Sequence, residues 1–381
     1  MSAAHASPMP LEGNYPVALA TAIVALIPFI VVSTADALYR PEVRQALGAT
    51  PTGLEIVSGL AVAGYAFGAL SGGDLVNRVP QRHLFLAAEL LFVLGCALAA
   101  VAGGIAVYGA GRVLQGLATG VLLIAALPPV IQRFPPARMP ITAVAINIGF
   151  FGAVTAGPLI GGVVSAGHAW RWFDAGLGGI GLAVGLCAAL SLPLQAPPNP
   201  GLRPDFAGLA LALPATALPF WGVSELTGHG FGAPLFFLPL GLGLVAFVAL
   251  ILLEYHKEEP LSPVKQMWHT FPLIGTLAAM MGGAGFITLL SLGEQYLEHV
   301  RMLPPVAAGL AFWPDVPAVL LAAAALGLLF RTRYLPLLVL AGMAVLMGGG
   351  GLLLARLVLK QYQRERLLIF LHPETDPLCK G

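Results

Sequence analysis

The stretch NIGFFGAVTAGPLIGG, residues 147–162, lies inside a long apolar run yet contains five glycines and one proline. Glycine and proline weaken helices in water, but small residues on a membrane helix let a second helix approach closely. Small residues recur here at every fourth position and therefore share one helix face. They are Gly149, Ala153, Gly157 and Gly161. The stretch predicts a membrane helix with a tightly packed neighbour.

The composition extends this interpretation to the whole chain. Of 381 residues, 58% are hydrophobic and 10% are charged, and the mean hydropathy is +0.87. Such values exclude an ordinary soluble domain. A bilayer core of ~30 Å requires roughly 20 apolar helical residues, and continuous runs of that length favour helices over short alternating strands. We predict an all-α, polytopic membrane helix bundle. The eleven predicted spans are 16–38, 52–72, 84–104, 106–130, 140–165, 174–195, 206–224, 233–254, 271–292, 305–329 and 334–356.

The distribution of Lys and Arg predicts the orientation of the chain, because cytoplasmic loops carry an excess of these residues. With the N-terminus in the cytoplasm, the predicted inner loops hold nine Lys and Arg residues, and the outer loops up to residue 355 hold four. Eleven spans then place the C-terminus outside, where the basic residues after position 355 run against the rule. We expect an integral protein of a bacterial inner membrane.

The sequence lacks motifs for several other chemistries. Its three cysteines show no pairing pattern, and neither cysteines nor histidines show the spacing of metal ligands. The GxxxxGK loop that binds nucleotide phosphates is also missing. We therefore expect no metal, no cofactor and no nucleic-acid partner, and we do not expect an enzyme.

Four stretches resemble motifs of one family in their order and spacing. They are GDLVNRVPQRHLF at 73–85, GRVLQGLATG at 111–120, GPLIGG at 157–162 and WRWF at 170–173. The first three resemble motifs A, B and C of the drug/proton antiporters of the major facilitator superfamily, and the fourth recurs in that family after the fifth helix. The Pro-rich break at 191–206, followed by two further spans, resembles the fourteen-helix branch of that superfamily. The resemblance covers roughly residues 15–356.

The resemblance implies a division of the chain into four regions. Residues 1–195 form a six-helix half, 196–265 hold two linking helices, and 266–356 supply three helices of an incomplete second half. The tail, 357–381, resembles instead an extracytoplasmic loop of peptidoglycan polymerases of the cell-shape and division type. We interpret this tail as the product of a splice, a frameshift or an assembly error. The alternative is that its charges merely cap a helix at the membrane interface.

Motifs A and C imply further roles by resemblance. The motif A loop at the cytoplasmic face is expected to contain Gly73, Asn77, Arg78 and Arg82. This chain has Asn77 where the family usually has an acidic residue, and Pro80 where the family usually has glycine. The ion pair that the acidic residue would form at the cytoplasmic face is therefore not expected here. The residues expected to pack in motif C are Gly149, Gly157, Pro158, Gly161 and Gly162.

Charged groups inside a membrane are costly and therefore indicate function. Arg112, near the start of the fourth span, occupies a position that the resemblance associates with proton coupling; the alternative is that it snorkels to the outer interface. Asp36 or Glu55, on the same side, is expected to carry the proton, because burial and a nearby arginine shift a carboxyl pKa in opposite directions. Glu89 is expected to pair with an arginine of a loop.

Three residues are predicted to line a substrate cavity: Asp315, Gln115 and Asn147. Asp315 follows Pro314 in the tenth span, where a water-filled cavity would let it bind a cationic substrate. The alternative is a protonated Asp315 bonded to carbonyls that the prolines leave free. Gln115 is also expected to orient Arg112.

The sequence thus predicts a secondary transporter that exports small, amphipathic compounds against proton entry by alternating access of two halves. Its expected partners are a small-molecule substrate, protons and the lipid bilayer, and its oligomeric state is left open. A second hypothesis is a truncated or chimeric membrane fragment without transport activity. A third is a piece of a peptidoglycan glycosyltransferase.

Overall fold

The described residues of the computed structural model are 11–12, 14–257, 260–261 and 264–329, and they contain helices and no strand. Ten helical segments in this part of the chain are long and apolar enough to cross a membrane. The helices are α1 Tyr15–Leu47, α2 Pro51–Arg78, α3 Gln81–Val101, α4 Ile105–Arg133, α5 Met139–Ala166, α6 Trp170–Ser191, α7 Phe206–Ser224, α8 Pro234–His256, α9 Val264–Met267, α10 Thr270–Gln295, α11 Pro305–Leu310 and α12 Asp315–Leu329.

Local sequence signals explain where the first helices begin and end. The Asn14 side chain accepts a hydrogen bond from the Val17 N–H, 3.3 Å, and caps α1. Gly48 ends α1 with φ 59°, a left-handed conformation that glycine adopts without a steric penalty. Thr50 then caps α2 by accepting from the Gly53 N–H, 3.0 Å.

Four predicted spans differ clearly from the observed helices. The first was predicted to end at residue 38, but α1 continues to Leu47. A helix can extend beyond the apolar segment that crosses the membrane. The second was predicted to end at residue 72, but α2 continues to Arg78. The sixth was predicted from residue 174, but α6 begins at Trp170. The tenth is divided into α11 and α12 by turns over residues 311–314. The eleventh span, 334–356, and the tail, 357–381, lie outside the described residues.

The first six long helices pack as an interlocked group. Helix α2 packs against α4 and α7, α3 packs against α4 and α6, and α1 packs against α5. Helices α7 and α8 form a hairpin, and α11 and α12 pack along α5. Two clusters of buried apolar side chains lie within the α1–α6 group.

Glycines set the closest of these helix crossings. A Cβ atom added at Gly116 or Gly120 of α4 would overlap the carbonyl oxygens of Ala61 and Tyr65 on α2. Helix α4 therefore lies directly on the backbone of α2, as small residues allow in membranes.

Contacts divide the chain into two compact units. One comprises residues 1–265 and 292–330, and the other comprises 266–291 and 331–381. The described part of the second unit is residues 266–291, which contain the end of α9 and most of α10. The groups described below all belong to the first unit.

Candidate functional site

Arg112, Gln115 and Asp174 form a buried polar chain, here called the Arg112 cluster. The Arg112 guanidinium Nη1 donates to Gln115 Oε1 at 2.7 Å, and Gln115 Nε2 donates to Asp174 Oδ1 at 3.1 Å. Their exposed fractions are 2%, 0% and 0%. Gln115 thus connects a positive and a negative side chain that do not touch directly.

The helices hold this chain in place through local spacing and packing. Arg112 and Gln115 are three residues apart and so share one face of α4. Gln115 Nε2 also lies 3.5 Å from Cys96 Sγ of α3. Helices α3 and α4 lie close together at Gly95, because a Cβ added there would lie 2.7 Å from the Gly111 carbonyl oxygen.

A second group, the Arg40 cluster, joins α1 to α2 and comprises Asp36, Arg40, Glu55 and Ser58. Arg40 donates to Asp36 Oδ2 from Nε at 2.9 Å and from Nη2 at 2.6 Å. It also donates to Glu55 Oε1, and Ser58 Oγ donates to Asp36 Oδ2 at 3.2 Å. Both predicted proton-carrying acids therefore bond to Arg40 and not to Arg112.

The two clusters are electrostatically connected. Arg112 interacts with the charges of Asp36 and Asp174, so one guanidinium lies within the field of two acids on different helices. The hydroxyl oxygens of Tyr39 and Tyr108 are buried in the same region without a hydrogen-bond partner. Unsatisfied buried polar groups are rare and call for an explanation.

Motif C glycines bring α1 and α5 together beside the Arg40 cluster. A Cβ at Gly149 would overlap Ile23, one at Gly157 would overlap Thr34, and one at Gly161 would overlap the Ala35 carbonyl. Thr34 and Ala35 directly precede Asp36 in the sequence of α1. The other two motif C residues face α11: a Cβ at Gly162 would overlap the Pro305 carbonyl, and a Cβ at Gly309 would lie 2.5 Å from the Pro158 carbonyl oxygen. Motif C therefore packs against helices on two sides.

The predicted motif A loop is mostly helical. Gly73, Asn77 and Arg78 belong to the last turns of α2, and Arg82 lies in the first turn of α3. Arg78 forms an ion pair with Asp74, four residues earlier. Only Val79 and Pro80 separate the two helices, so the chain reverses there without a long loop.

A third charged group, the linker clamp, comprises Asp205, Glu254 and Lys257 and joins α7 to α8. Lys257 Nζ donates to Glu254 Oε1 at 2.8 Å and to Asp205 Oδ2. Partial burial raises the pKa of Asp205, but hydrogen bonds from Lys257 and from the Gly208 N–H outweigh it, so the pKa lies below its ordinary value. Partial burial lowers the pKa of Lys257, but its two carboxylate partners raise it above its ordinary value.

The structure separates the three predicted cavity residues. Gln115 is fully buried inside the Arg112 cluster, so it connects charged groups and does not line an open space. Asn147 lies on α5, where its Oδ1 atom is buried without a partner. Asp315 is the first residue of α12, because the turns before it break the tenth span. Among the described residues, its side chain forms no ion pair or hydrogen bond.

Sequence reasoning missed one member of each cluster. Arg40 lies beyond residue 38, where the first span was predicted to end, although its spacing of four from Asp36 predicts an ion pair on a continued helix. Asp174 was treated as the boundary of a span, although the apolar aromatic residues before it indicated an earlier helix start. Glu89, expected to pair with an arginine, is 3% exposed and its Oε1 has no partner.

In the described part of the chain, ten helices are long and apolar enough to cross a membrane, and charged side chains are buried among the helices of the first unit. These features define an integral membrane protein. Residues 17–369 match the family described as the Major Facilitator Superfamily, and the chain belongs to that superfamily. The matched range includes residues 357–369 of the tail.

Curated relatives of the chain include exporters of antibiotics. The tetracenomycin C resistance and export protein of Streptomyces glaucescens is 27% identical over 82% of this chain and 58% of its own length. The cephamycin export protein of Amycolatopsis lactamdurans is 29% identical over 72% of this chain and 57% of its own. A multidrug resistance protein B homologue of Mycobacterium tuberculosis is 25% identical over 74% and 52%. The chain spans about half the length of these relatives.

Solved structures show the same fold. A peptide transporter in complex with sulfate aligns with a TM-score of 0.54 at 18% identity, over 80% of this chain and 67% of that one. At this identity the likeness concerns the fold alone.

Proposed function

We propose that the protein is a proton-coupled secondary transporter that exports small, amphipathic compounds by alternating access. The observation that carries the proposal is the buried Arg112, whose guanidinium bonds to a neutral amide and shares the field of two acids. Burying a charge in this way lowers the stability of the fold, so its presence indicates a function. Relatives named for the export of tetracenomycin C and cephamycin support export as the direction.

The proposed mechanism uses the charges of the first six helices. Protonation of an acid near Arg112 weakens the attraction that holds α1, α4 and α6 together, and loss of the proton restores it. Asp36 and Glu55 contribute through Arg40, which bonds to both. The glycine contacts of α5 with α1 and α11 allow close-packed helices to move as rigid elements, as alternating access requires.

We also propose the placement of the protein and the division of its chain. The N-terminus lies in the cytoplasm and the membrane is a bacterial inner membrane, as the distribution of basic residues favours. Residues 1–195 form one half, and 196–265 form two linking helices. The packing of α7 against α2 supports attachment of the linking helices to the first half. Residues 266–356 contribute to the second half.

Ethidium, a lipophilic cation, is a suitable probe for the test. The intact chain is reconstituted into liposomes, and ethidium transport is followed by fluorescence with a pH gradient and after the gradient is collapsed by an ionophore. We expect transport that requires the gradient and that Arg112→Met abolishes. Transport by neither protein, or equal transport by both, would contradict the proposal.

The control variant is Arg44→Gln. Arg44 is an exposed residue in the last turn of α1, and it forms no ion pair with any residue that the structure describes. We expect this variant to transport ethidium like the wild type, because it removes an arginine at the same end of the bundle without changing either cluster.

A further inference from the structure

Asp174 differs from the other acids at its end of the bundle. Its side chain is fully buried, its Oδ1 accepts one hydrogen bond from Gln115, and its Oδ2 has no partner. No Lys, Arg or His in the described part of the chain forms an ion pair with it. A carboxylate can accept about four hydrogen bonds through its two oxygens. The Asp174 side chain accepts one.

The neighbouring acids are already neutralised. Asp36 and Glu55 both bond to Arg40. Arg112, in turn, has no carboxylate of the described residues within ion-pair distance and bonds to the Gln115 amide. Asp174 and Arg112 are therefore the acid and the guanidinium that remain without an ion pair among the described residues of these two clusters. The neutral Gln115 amide joins them.

We propose that Asp174 is a reversible protonation site and that Gln115 transmits its charge state to Arg112. The proton comes from water, binds the unpartnered Oδ2 and gives a neutral carboxylic acid; release to water restores the carboxylate, and no other bond is made or broken. The proton on Oδ2 leaves Oδ1 free to accept from Gln115, so the hydrogen-bonded chain persists in both states. In the transport cycle this step rests on the proposed function, because only a transporter would couple it to substrate.

Several titratable groups face Asp174 from the helices around it. Arg112, Cys96, Tyr39, Tyr108 and Asp36 contribute charge or polarity at the site. Among these groups only Arg112 is permanently charged and without a carboxylate of its own. A change in the charge of Asp174 is therefore felt most strongly by Arg112, through a chain of two hydrogen bonds of 2.7 and 3.1 Å.

The test is infrared difference spectroscopy of the purified, intact chain during a pH titration. The carbonyl stretch of a protonated carboxylic acid is separated from that of a carboxylate, and it can be followed without transport. We expect a band that appears as the pH falls, that Asp174→Asn removes and that the control Glu225→Gln retains. Glu225 is a buried acid directly after α7, outside both clusters; its Oε1 accepts from Trp221 Nε1 at 2.9 Å, and its Oε2 lies 3.2 Å from His229 Nδ1. An unchanged spectrum of Asp174→Asn would overturn the proposal.

Two further variants test the bridge and guard against misfolding. Gln115→Leu removes both hydrogen bonds, so the pH midpoint of the Asp174 band should shift. Asp174→Glu keeps a carboxyl but moves it by one methylene, so its band should titrate with a different midpoint. An unchanged midpoint in Gln115→Leu would exclude transmission through Gln115, and an unchanged midpoint in Asp174→Glu would assign the band to another acid.

Ethidium transport in liposomes distinguishes this inference from the proposed function. We expect Asp174→Asn to lose gradient-driven transport and to retain downhill exchange of ethidium. Gradient-driven transport that equals the wild type would overturn the role of Asp174 and leave the proposed function standing. A wild type that shows no transport would overturn the proposed function, while the infrared band would still decide whether Asp174 takes up a proton.

Discussion

The Arg112 cluster and the linker clamp both join helices through charged side chains, but they differ in how completely their atoms are paired. In the clamp, every carboxylate oxygen accepts a hydrogen bond. The Gly208 N–H and Lys257 Nζ donate to Asp205, and Lys257 Nζ and the Leu261 N–H donate to Glu254. In the Arg112 cluster, Asp174 Oδ2 has none. The clamp lies near the protein surface and the cluster is fully enclosed.

We infer from this difference that the clamp is a structural group and that the Arg112 cluster is a functional one. An incompletely paired charge is more expensive in an enclosed site than at a surface, because the local dielectric is low. The clamp has the arrangement expected of a group that only fixes α7 to α8. The Arg112 cluster has the arrangement expected of a group that changes its protonation, because a free acceptor site is what a proton requires.

The largest effect is expected from Gly157→Leu. The new side chain would overlap Thr34 of α1, next to Asp36, and overpacking of this kind costs about 1–3 kcal/mol or more. The free energy of unfolding, measured by titration with SDS, should fall accordingly. Gly152→Leu on the same helix is the matched control, because a Cβ there meets nothing within 4 Å. Equal losses in both variants would refute close packing at motif C.

The second effect concerns the pairing of the Arg40 cluster. Arg40→Gln leaves Asp36 and Glu55 without their cation, and a buried group that loses its partner costs about 1–3 kcal/mol. We expect a lower free energy of unfolding for this variant and no measurable change for Arg44→Gln. If the two variants were equally stable, the Arg40 ion pairs would have no structural role.

The third effect tests the clamp as a structural group. Asp205→Ala removes the hydrogen bond to the Gly208 N–H that caps α7, and loss of such a cap costs about 0.5–2 kcal/mol. Asp205→Asn keeps a cap but loses the ion pair, so its loss should be smaller. Neither variant should change the pH dependence of ethidium transport, and a shifted pH profile would show that the clamp takes part in coupling.

The smallest effect is the pH dependence of the clamp. The pKa of Asp205 is lowered by folding, so its contribution is present above its ordinary value of 3.8 and is lost as the pH falls through the folded pKa. The pKa of Lys257 is raised, so its contribution is present below 10.5 and is lost as the pH rises through the folded pKa. The difference in unfolding free energy between wild type and Lys257→Met should be constant from about pH 5 to 9 and at most about 1 kcal/mol, because the pair is partly exposed. A difference that varied within that range would contradict this pairing.

The sequence predicted the helical fold well, because apolar runs long enough to cross a bilayer have few alternative structures. It located the ends of helices poorly. A charged residue such as Arg40 or Asp174 ends an apolar window, yet the backbone continues as a helix when a neighbouring helix supplies a polar partner. Arg40 was therefore left outside the first predicted span, and Asp174 was placed at the very edge of the sixth, although both lie within helices.

The candidate site was predicted in part. Arg112 was singled out because a cation inside an apolar run is costly, and Asp36 and Glu55 were placed at the same end. Their actual partners depend on side-chain directions across α1, α2, α4 and α6, which spacing along one helix does not determine. Gln115 was predicted to line a cavity and to orient Arg112, but only the packed structure shows its amide between Arg112 and Asp174.

Proton movement driven by substrate tests the central claim most directly. The intact chain is reconstituted into liposomes that contain a pH-sensitive dye, and ethidium is added outside without an initial pH gradient. The account predicts that entry of ethidium drives protons out, so that the interior pH rises with the wild type and stays constant with Arg112→Met and with empty liposomes. No rise with the wild type, or an equal rise with Arg112→Met, would contradict it.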